Sequence, residues 1–265
     1  MNIEDPKLET LQDNPQSEGG TVNGEVMTKR LRQRYPDQNG KFSKYQIEEI
    51  NREIEKEMAS DQVELIKKLS SIEIPVYLVG GYAYELLLLE EGGEFRAQFA
   101  DQHRDIDMIT NIENSAILKN KLKELGFKLK KEVDRNLNET TLEYINGDTG
   151  VQADFSLIDI NTETNEVCAN SSLGNKKYKV CSNLDVIVWK TVVLGGVEVR
   201  TLSPCGLIQS FLVNRQIGIA LREKDRIRAQ RLCEKYFPGE TLDSELFKVR
   251  VKELAFPEKE ELMKS

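Results

Sequence analysis

Residues 75–110 read PVYLVGGYAYELLLLEEGGEFRAQFADQHRDIDMIT, and this stretch decides the fold. VYLV is apolar and partly β-branched, the composition of a buried strand. Gly80 and Gly81 end it, and YAYELLLLE follows at once as a helix opening at the glycine turn. EEGGEFRAQFADQ has no regular period and reads as a loop, and DIDMIT reads as the next strand. Side chains two apart on a strand share a face, so Asp105 and Asp107 stand side by side. Two carboxylates that close raise each other's pKa unless a cation joins them. A D-x-D pair alone is often a solvated loop or a helix cap. The apolar neighbours Ile106, Met108 and Ile109 favour a half-buried strand carrying a divalent-metal site.

A third acid lies in VQADFSLIDI. On a strand, residues 152, 154, 156 and 158 face one way and 151, 153, 155 and 157 the other. If this strand pairs beside the D-x-D strand, Asp154 completes a three-carboxylate cluster. Asp159 falls on the opposite face by parity and is excluded. Glu143 and Asp148 read as surface or turn residues. Gly80 and Gly81, between strand and helix, offer backbone N–H groups and a helix N-terminus to an anion such as phosphate. A bare Gly-Gly more often marks a tight turn, so the signal lies in the combined order of glycine turn, D-x-D strand and later Asp strand.

The chain of 265 residues suffices for one large domain or two modest ones. A net charge of −8 argues against nucleic-acid or anionic-membrane binding through a broad basic surface. The single histidine, His103, makes histidine metal sites and a Ser-His-Asp triad improbable. Any metal is then held by oxygen, which favours magnesium, manganese or calcium. The four cysteines form no C-x-x-C pair and read as buried, reduced thiols. MNIEDPKLETLQD has no apolar core of a signal peptide, and no apolar run is long enough for a bilayer. The expectation is a soluble cytoplasmic protein.

Residues 1–42 lack periodicity and are expected to form a mobile tail. Residues 43–202 form the expected catalytic domain, and residues 203–265 a helical C-terminal region. Ser43 to Leu69 carries apolar residues at helical spacing. NSAILKNKLKELG is an amphipathic helix closed by Gly126, and FKLKKEV is a strand. TTLEYING and VQADFSLIDI form a hairpin, and KYKVCS and VEVRTLS are short strands. PCGLIQSFLVNRQ, REKDRIRAQRLCEKYF and a weaker segment from Asp243 to Leu254 read as helices. The fold class is therefore α+β, a mixed sheet with flanking helices and a C-terminal helical region.

LVGGYAYELLL, HRDIDMI and VQADFSLID resemble the nucleotidyltransferase superfamily with the polymerase-β-like fold. The Gly-Gly-x-Ala form and the HRDID string are most similar to the aminoglycoside adenylyltransferase branch, whose relatives include lincosamide-modifying enzymes and toxin-type nucleotidyltransferases. The resemblance covers about Val76 to Ile160. It implies two magnesium (or manganese) ions held by Asp105 and Asp107, with Asp154 on the catalytic ion. Gly80, Gly81 and Arg104 are the candidate contacts to the nucleoside triphosphate, with ATP as the expected co-substrate; Arg104 reads equally as a strand-end arginine in a local salt bridge. An acceptor hydroxyl then attacks the α-phosphate, the acceptor being a small molecule such as an aminoglycoside. Alternatives are a toxin-type enzyme acting on tRNA or protein, and a non-catalytic nucleotide- or partner-binding protein on the same fold. The residues leave the oligomeric state open.

The sequence departs from the family pattern in the C-terminal region. Cys205 follows Ser203-Pro204 where many relatives have Glu, and Asn214-Arg215 stand near the place of a nucleotide-binding lysine. Arg215, Arg222 and Lys224 are the remaining phosphate candidates. His103 and Arg96 read as exposed loop residues, and Tyr82, Tyr84 and Trp189 as packing residues rather than stacking platforms.

Overall fold

The computed structural model describes residues 9–10, 41–42, 57, 60–89, 105–134, 140–173, 176–187 and 189–254. The remainder of the expected N-terminal tail and the 90–104 loop lie outside them. Two short strands, β1 (Glu9–Thr10) and β2 (Lys41–Phe42), pair antiparallel. Residues 60–70 form helix α1, whose Ile66 and Leu69 are fully buried, as the helical spacing predicts. The earlier part of the predicted Ser43–Leu69 helix falls largely outside the described residues.

The stretch that opened the sequence reading folds as strand, helix, strand. β3 (Val76–Leu78) leads into α2 (Gly80–Leu88), and β4 (Asp105–Asn111) runs antiparallel to β3. Along β4, Ile106, Met108 and Thr110 are buried while Asp105 and Asp107 are half-buried on the other face. Burying a large apolar side chain contributes about 1.5–3 kcal/mol, so this alternation fixes which face the acids occupy. α3 (Ser115–Glu124) packs on β5 (Phe127–Asp134), and Gly126 between them has φ +79°, the left-handed turn that glycine tolerates best.

β6 (Thr140–Asn146) pairs antiparallel with both β5 and β7 (Gln152–Asn161), confirming the hairpin. β7 in turn lies parallel to β4, so the two acid-bearing strands are neighbours. Ten strands form one mixed sheet. Its far end is built by β8 (Glu166–Leu173), β9 (Lys176–Asn183) and β12 (Arg250–Leu254), and its other end by β10 (Lys190–Leu194) and β11 (Val197–Thr201). Helices α4 (Pro204–Gln216) and α5 (Glu223–Tyr236) pack against each other and against α2. The α+β class is as expected, and one apolar core joins sheet and helices from Leu65 through Phe247. No helix among the described residues is long and apolar enough to cross a membrane.

Three expectations are corrected. The segment Asp243–Leu254 is not a helix: a single 3-10 turn, Glu245–Phe247, precedes strand β12. Phe247 is buried, and the following residues extend along the free edge of β9, with Arg250 bonded to Glu166 at 2.6 Å and Lys176 to Glu253 at 3.2 Å. Strands β8 and β10 were not predicted: EVCANSSL of β8 carries no strong strand signal, whereas KTVVL of β10 is rich in β-branched residues and turns through Gly195-Gly196 into β11, a hairpin signal present in the sequence. β8 also changes the cysteine reading, because its register sets Cys168 opposite Cys181, and the two form a disulfide with Cα atoms 4.2 Å apart. Cys205 and Cys233 are buried free thiols, as expected. Trp189 stacks on Tyr77 with ring centroids 3.6 Å apart, a packing role.

Candidate active site

The register of β4 with β7 places Asp107 beside Asp154 and Asp105 beside Gln152. Asp105, Asp107 and Asp154 each offer a carboxylate oxygen, and these atoms all lie within 4.8 Å of one another. The three-acid cluster expected from strand parity is therefore present. Asp159 is exposed and pairs with Lys179 at 3.6 Å, and Asp148 lies in the β6–β7 turn. Both were read correctly as outside the cluster.

Gly80 closes one side. It has φ +66°, and a Cβ added there would lie 2.3 Å from Asp107 Oδ2. Only glycine accepts both the backbone conformation and the close approach. The Val79 N–H donates to the Asp107 carbonyl at 2.9 Å, tying the glycine turn to β4. Gly81 is buried in the first turn of α2, and the Val79 side chain does not cap that helix. The first backbone N–H groups of α2 therefore start next to the acids. Arg104 and His103 lie outside the described residues.

The acids carry an electrostatic penalty. Asp107 keeps some contact with solvent, but its carboxyl is closely surrounded by protein, Gly80 included. Burial foremost, then the charges of Asp105 and Asp154, push its pKa up to about 7, with Arg228 and Lys224 opposing the shift. Burial also raises Asp154 to about 6, against a hydrogen bond from Gln152, while Asp105 and Glu143 add to the rise and Lys130 opposes it. A surplus of enclosed negative charge with oxygen-only donors fits a hard divalent cation. The three aspartates are the residues that would hold it.

Four site residues were missed or undervalued in the sequence. Glu143, read as a surface residue, is the direct cross-strand partner of Asp154 on the same face. Gln152 donates from Nε2 to Asp154 Oδ1 at 3.0 Å, and Lys130 donates to Gln152 Oε1 at 3.2 Å. Arg228 stands one helical turn beyond Lys224 on α5, and both charges act on Asp107. Its guanidinium lies 5.7 Å from the Tyr84 ring centroid and 6.0 Å from that of Phe211. The i, i+4 spacing from Lys224 was the available signal. Arg215 is instead bonded to Asp243 at 2.7 Å and Arg222 to the buried Asp225 at 2.5 Å. Tyr82 is buried and donates to Gln62, and Tyr84 packs edge-on against Phe211, so neither offers an open ring to a base.

Residues 62–232 match the family described as aminoglycoside-2''-adenylyltransferase. No curated protein matches the chain in sequence. Among solved structures, the chain is similar to the lincosamide antibiotic adenylyltransferase LnuA in its lincomycin-bound form, at 18% identity and TM-score 0.41, covering 60% of this chain and 86% of that one. It is similar to ANT(2'')-Ia in complex with adenylyl-2''-tobramycin, at 18% identity and TM-score 0.43, covering 66% and 88%. An antigenic nucleotidyltransferase-like protein from Paracoccidioides brasiliensis matches at 15% identity and TM-score 0.42, covering 72% and 83%.

Proposed function

Starting from a chain that belongs to the aminoglycoside-2''-adenylyltransferase family, and is thereby a nucleotidyltransferase, we propose that it transfers AMP from ATP to a hydroxyl of a small molecule such as an aminoglycoside. The observation that carries this reading is the three-aspartate cluster on adjacent parallel strands, with Gly80 packed against Asp107. Asp105 and Asp107 would hold two divalent cations, magnesium by donor chemistry, and Asp154 would share one of them. Bound there, such ions stabilise charge on the entering and leaving oxygens of an in-line displacement.

The chain's own residues divide the remaining work. The first N–H groups of α2, at Gly80 and Gly81, face the phosphates, where a helix N-terminus favours negative charge. Lys224 and Arg228, on the Asp107 side, neutralise the departing pyrophosphate. Asp154, at the other edge, accepts the proton of the acceptor hydroxyl. That oxygen forms a bond to the α-phosphorus as the bond to the bridging oxygen of the β-phosphate breaks. Glu143 adds negative charge on the acceptor side, which suits an acceptor carrying ammonium groups. Arg104, the residue preceding β4 in sequence, would contact the triphosphate.

The test is incubation with α-labelled ATP, magnesium and a panel of aminoglycosides, lincosamides, tRNA and proteins. Transfer to an antibiotic, lost in Asp154→Ala and Asp107→Ala, is the expected result. Label on tRNA or protein alone would redirect the reading to a toxin-type enzyme, and transfer surviving Asp107→Ala would refute the site.

A further inference from the structure

The site face of β4 and β7 is a two-by-two grid, with Asp105 beside Gln152 and Asp107 beside Asp154. Three corners are carboxylates and the fourth is a neutral amide. That amide bridges two groups: its Nε2 donates to Asp154 Oδ1 at 3.0 Å, and its Oε1 accepts from Lys130 Nζ at 3.2 Å. Lys130 reaches it from β5, where the register with β6 shifts between Leu129 and Lys131. A bulge of this kind re-aims a side chain.

The chemistry of the three groups makes the chain directional. A lysine ammonium has donors and no acceptor, so it can bond only the carbonyl end of the amide. The N–H end is then turned to Asp154. A lysine placed directly on Asp154 would neutralise it and compete with a cation for the same oxygens. A neutral amide orients the carboxylate and leaves its charge in place. A glutamate at this corner would instead add a fourth acid to an already crowded cluster.

We propose that Gln152, itself oriented by Lys130, is a positioning residue for Asp154: it occupies Oδ1, so that the other carboxylate oxygen is presented to a divalent cation and to the acceptor proton. The proposal rests on the reading of the three aspartates as a cation site. Partners of ligating carboxylates act through the ligand, and their loss typically weakens metal binding by about 10- to 100-fold.

The experiment titrates Mn2+ into the full chain in the presence of α,β-methylene ATP, with the free ion followed by electron paramagnetic resonance. Asp154→Asn is the reference variant and should lose most of the affinity. Gln152→Ala should weaken Mn2+ binding by about tenfold. Lys130→Ala should weaken it less, because its contact is exposed, and Lys130→Arg should recover much of that loss. The double variant should bind no more weakly than Gln152→Ala alone, since Lys130 acts through the amide. A purely structural pair would lower the unfolding midpoint and leave Mn2+ affinity unchanged, which overturns the proposal. Additive losses in the double variant also overturn it. If Asp154→Asn itself keeps wild-type affinity, the cation-site reading falls and takes this inference with it. If Asp154→Asn loses binding while Gln152→Ala keeps it, this inference alone falls.

Discussion

Replacing Asp107 by Asn should make the metal-free protein more stable while removing its activity. In the folded state burial and the neighbouring acids raise the Asp107 pKa from 3.8 to about 7. The folded protein therefore holds a proton that the unfolded chain releases, and stability falls as pH rises from about 4 to about 7. Above that window the whole penalty is present. The shift sets a ceiling of about 4 kcal/mol at about 1.36 kcal/mol per pKa unit. Relaxation of the coupled acids and of nearby solvent reduces the realised effect to about 1–3 kcal/mol. Asparagine has nearly the same shape and no charge, so it removes the penalty. Urea unfolding in EDTA should show Asp107→Asn more stable than wild type at pH 8 by that amount, and by only about 40% of it at pH 5, where the unfolded carboxyl is already ionised and the folded one still protonated. Adding magnesium should stabilise wild type more than the variant, because a ligand that binds only the folded state raises its stability. A variant no more stable than wild type at pH 8, or a gain identical at both pH values, would refute the electrostatic account of the cluster.

Three further outcomes follow from the same geometry. Gly80→Ala should cost at least about 1–2 kcal/mol in urea unfolding from the left-handed backbone alone, and it should abolish label transfer because the new Cβ displaces the Asp107 carboxylate. Lys224→Ala, at an exposed position, should leave the unfolding midpoint unchanged and raise the KM for ATP by about tenfold, the value of one charge-assisted contact to phosphate. Mn2+ affinity measured by calorimetry should climb from pH 5 to pH 8 and level off above about 7, because protons on Asp107 and Asp154, with pKa values of about 7 and about 6, compete with the cation. An affinity flat across that range would count against these two aspartates as ligands.

The aspartate cluster was legible because strand parity is a local property. Asp105, Asp107 and Asp154 each sit in an apolar alternation that states which face they occupy, and the parallel pairing of β4 with β7 needed only to bring the faces together. Glu143 and Gln152 sit in equally readable strands, yet their roles depend on register. Glu143 matters because it falls opposite Asp154, and a shift of one residue would turn it to the other face. Lys130 depends in addition on a register irregularity in β5. Strand β8 was missed because EVCANSSL has few β-branched or aromatic residues, and its pairing with β9 rests on the backbone ladder. The Cys168–Cys181 disulfide was missed with it, since no spacing rule reports a cross-strand register.

The contribution of α5 required tertiary information of a different kind, because its two ends act on the two ends of α2. At the C-terminal end of α5, Lys235 Nζ donates to the carbonyls of Leu87, Leu88 and Leu89 at 3.1, 3.1 and 3.4 Å, and the Tyr236 hydroxyl also donates to Leu87. These are the carbonyls that the last turn of α2 leaves unpaired, and a cation there also complements the helix dipole. At the other end of α5, Lys224 and Arg228 act on Asp107, next to the glycines that begin α2. From residue 224 to residue 235 a helix spans about 16 Å, and from residue 80 to residue 89 about 13 Å, at about 1.5 Å per residue. The lengths match closely enough for α5 to cap one end of α2 and bring its cations to the acids at the other. The charge that balances Asp107 is thus set by a helix some 120 residues further along the chain, about the separation of Asp107 from Arg228, through a contact at the opposite end of α2. For this reason the missing Ser-Pro-Glu signature near Cys205 does not remove basic residues from the site: they come from the following helix, in a position that only the packing of α5 on α2 defines.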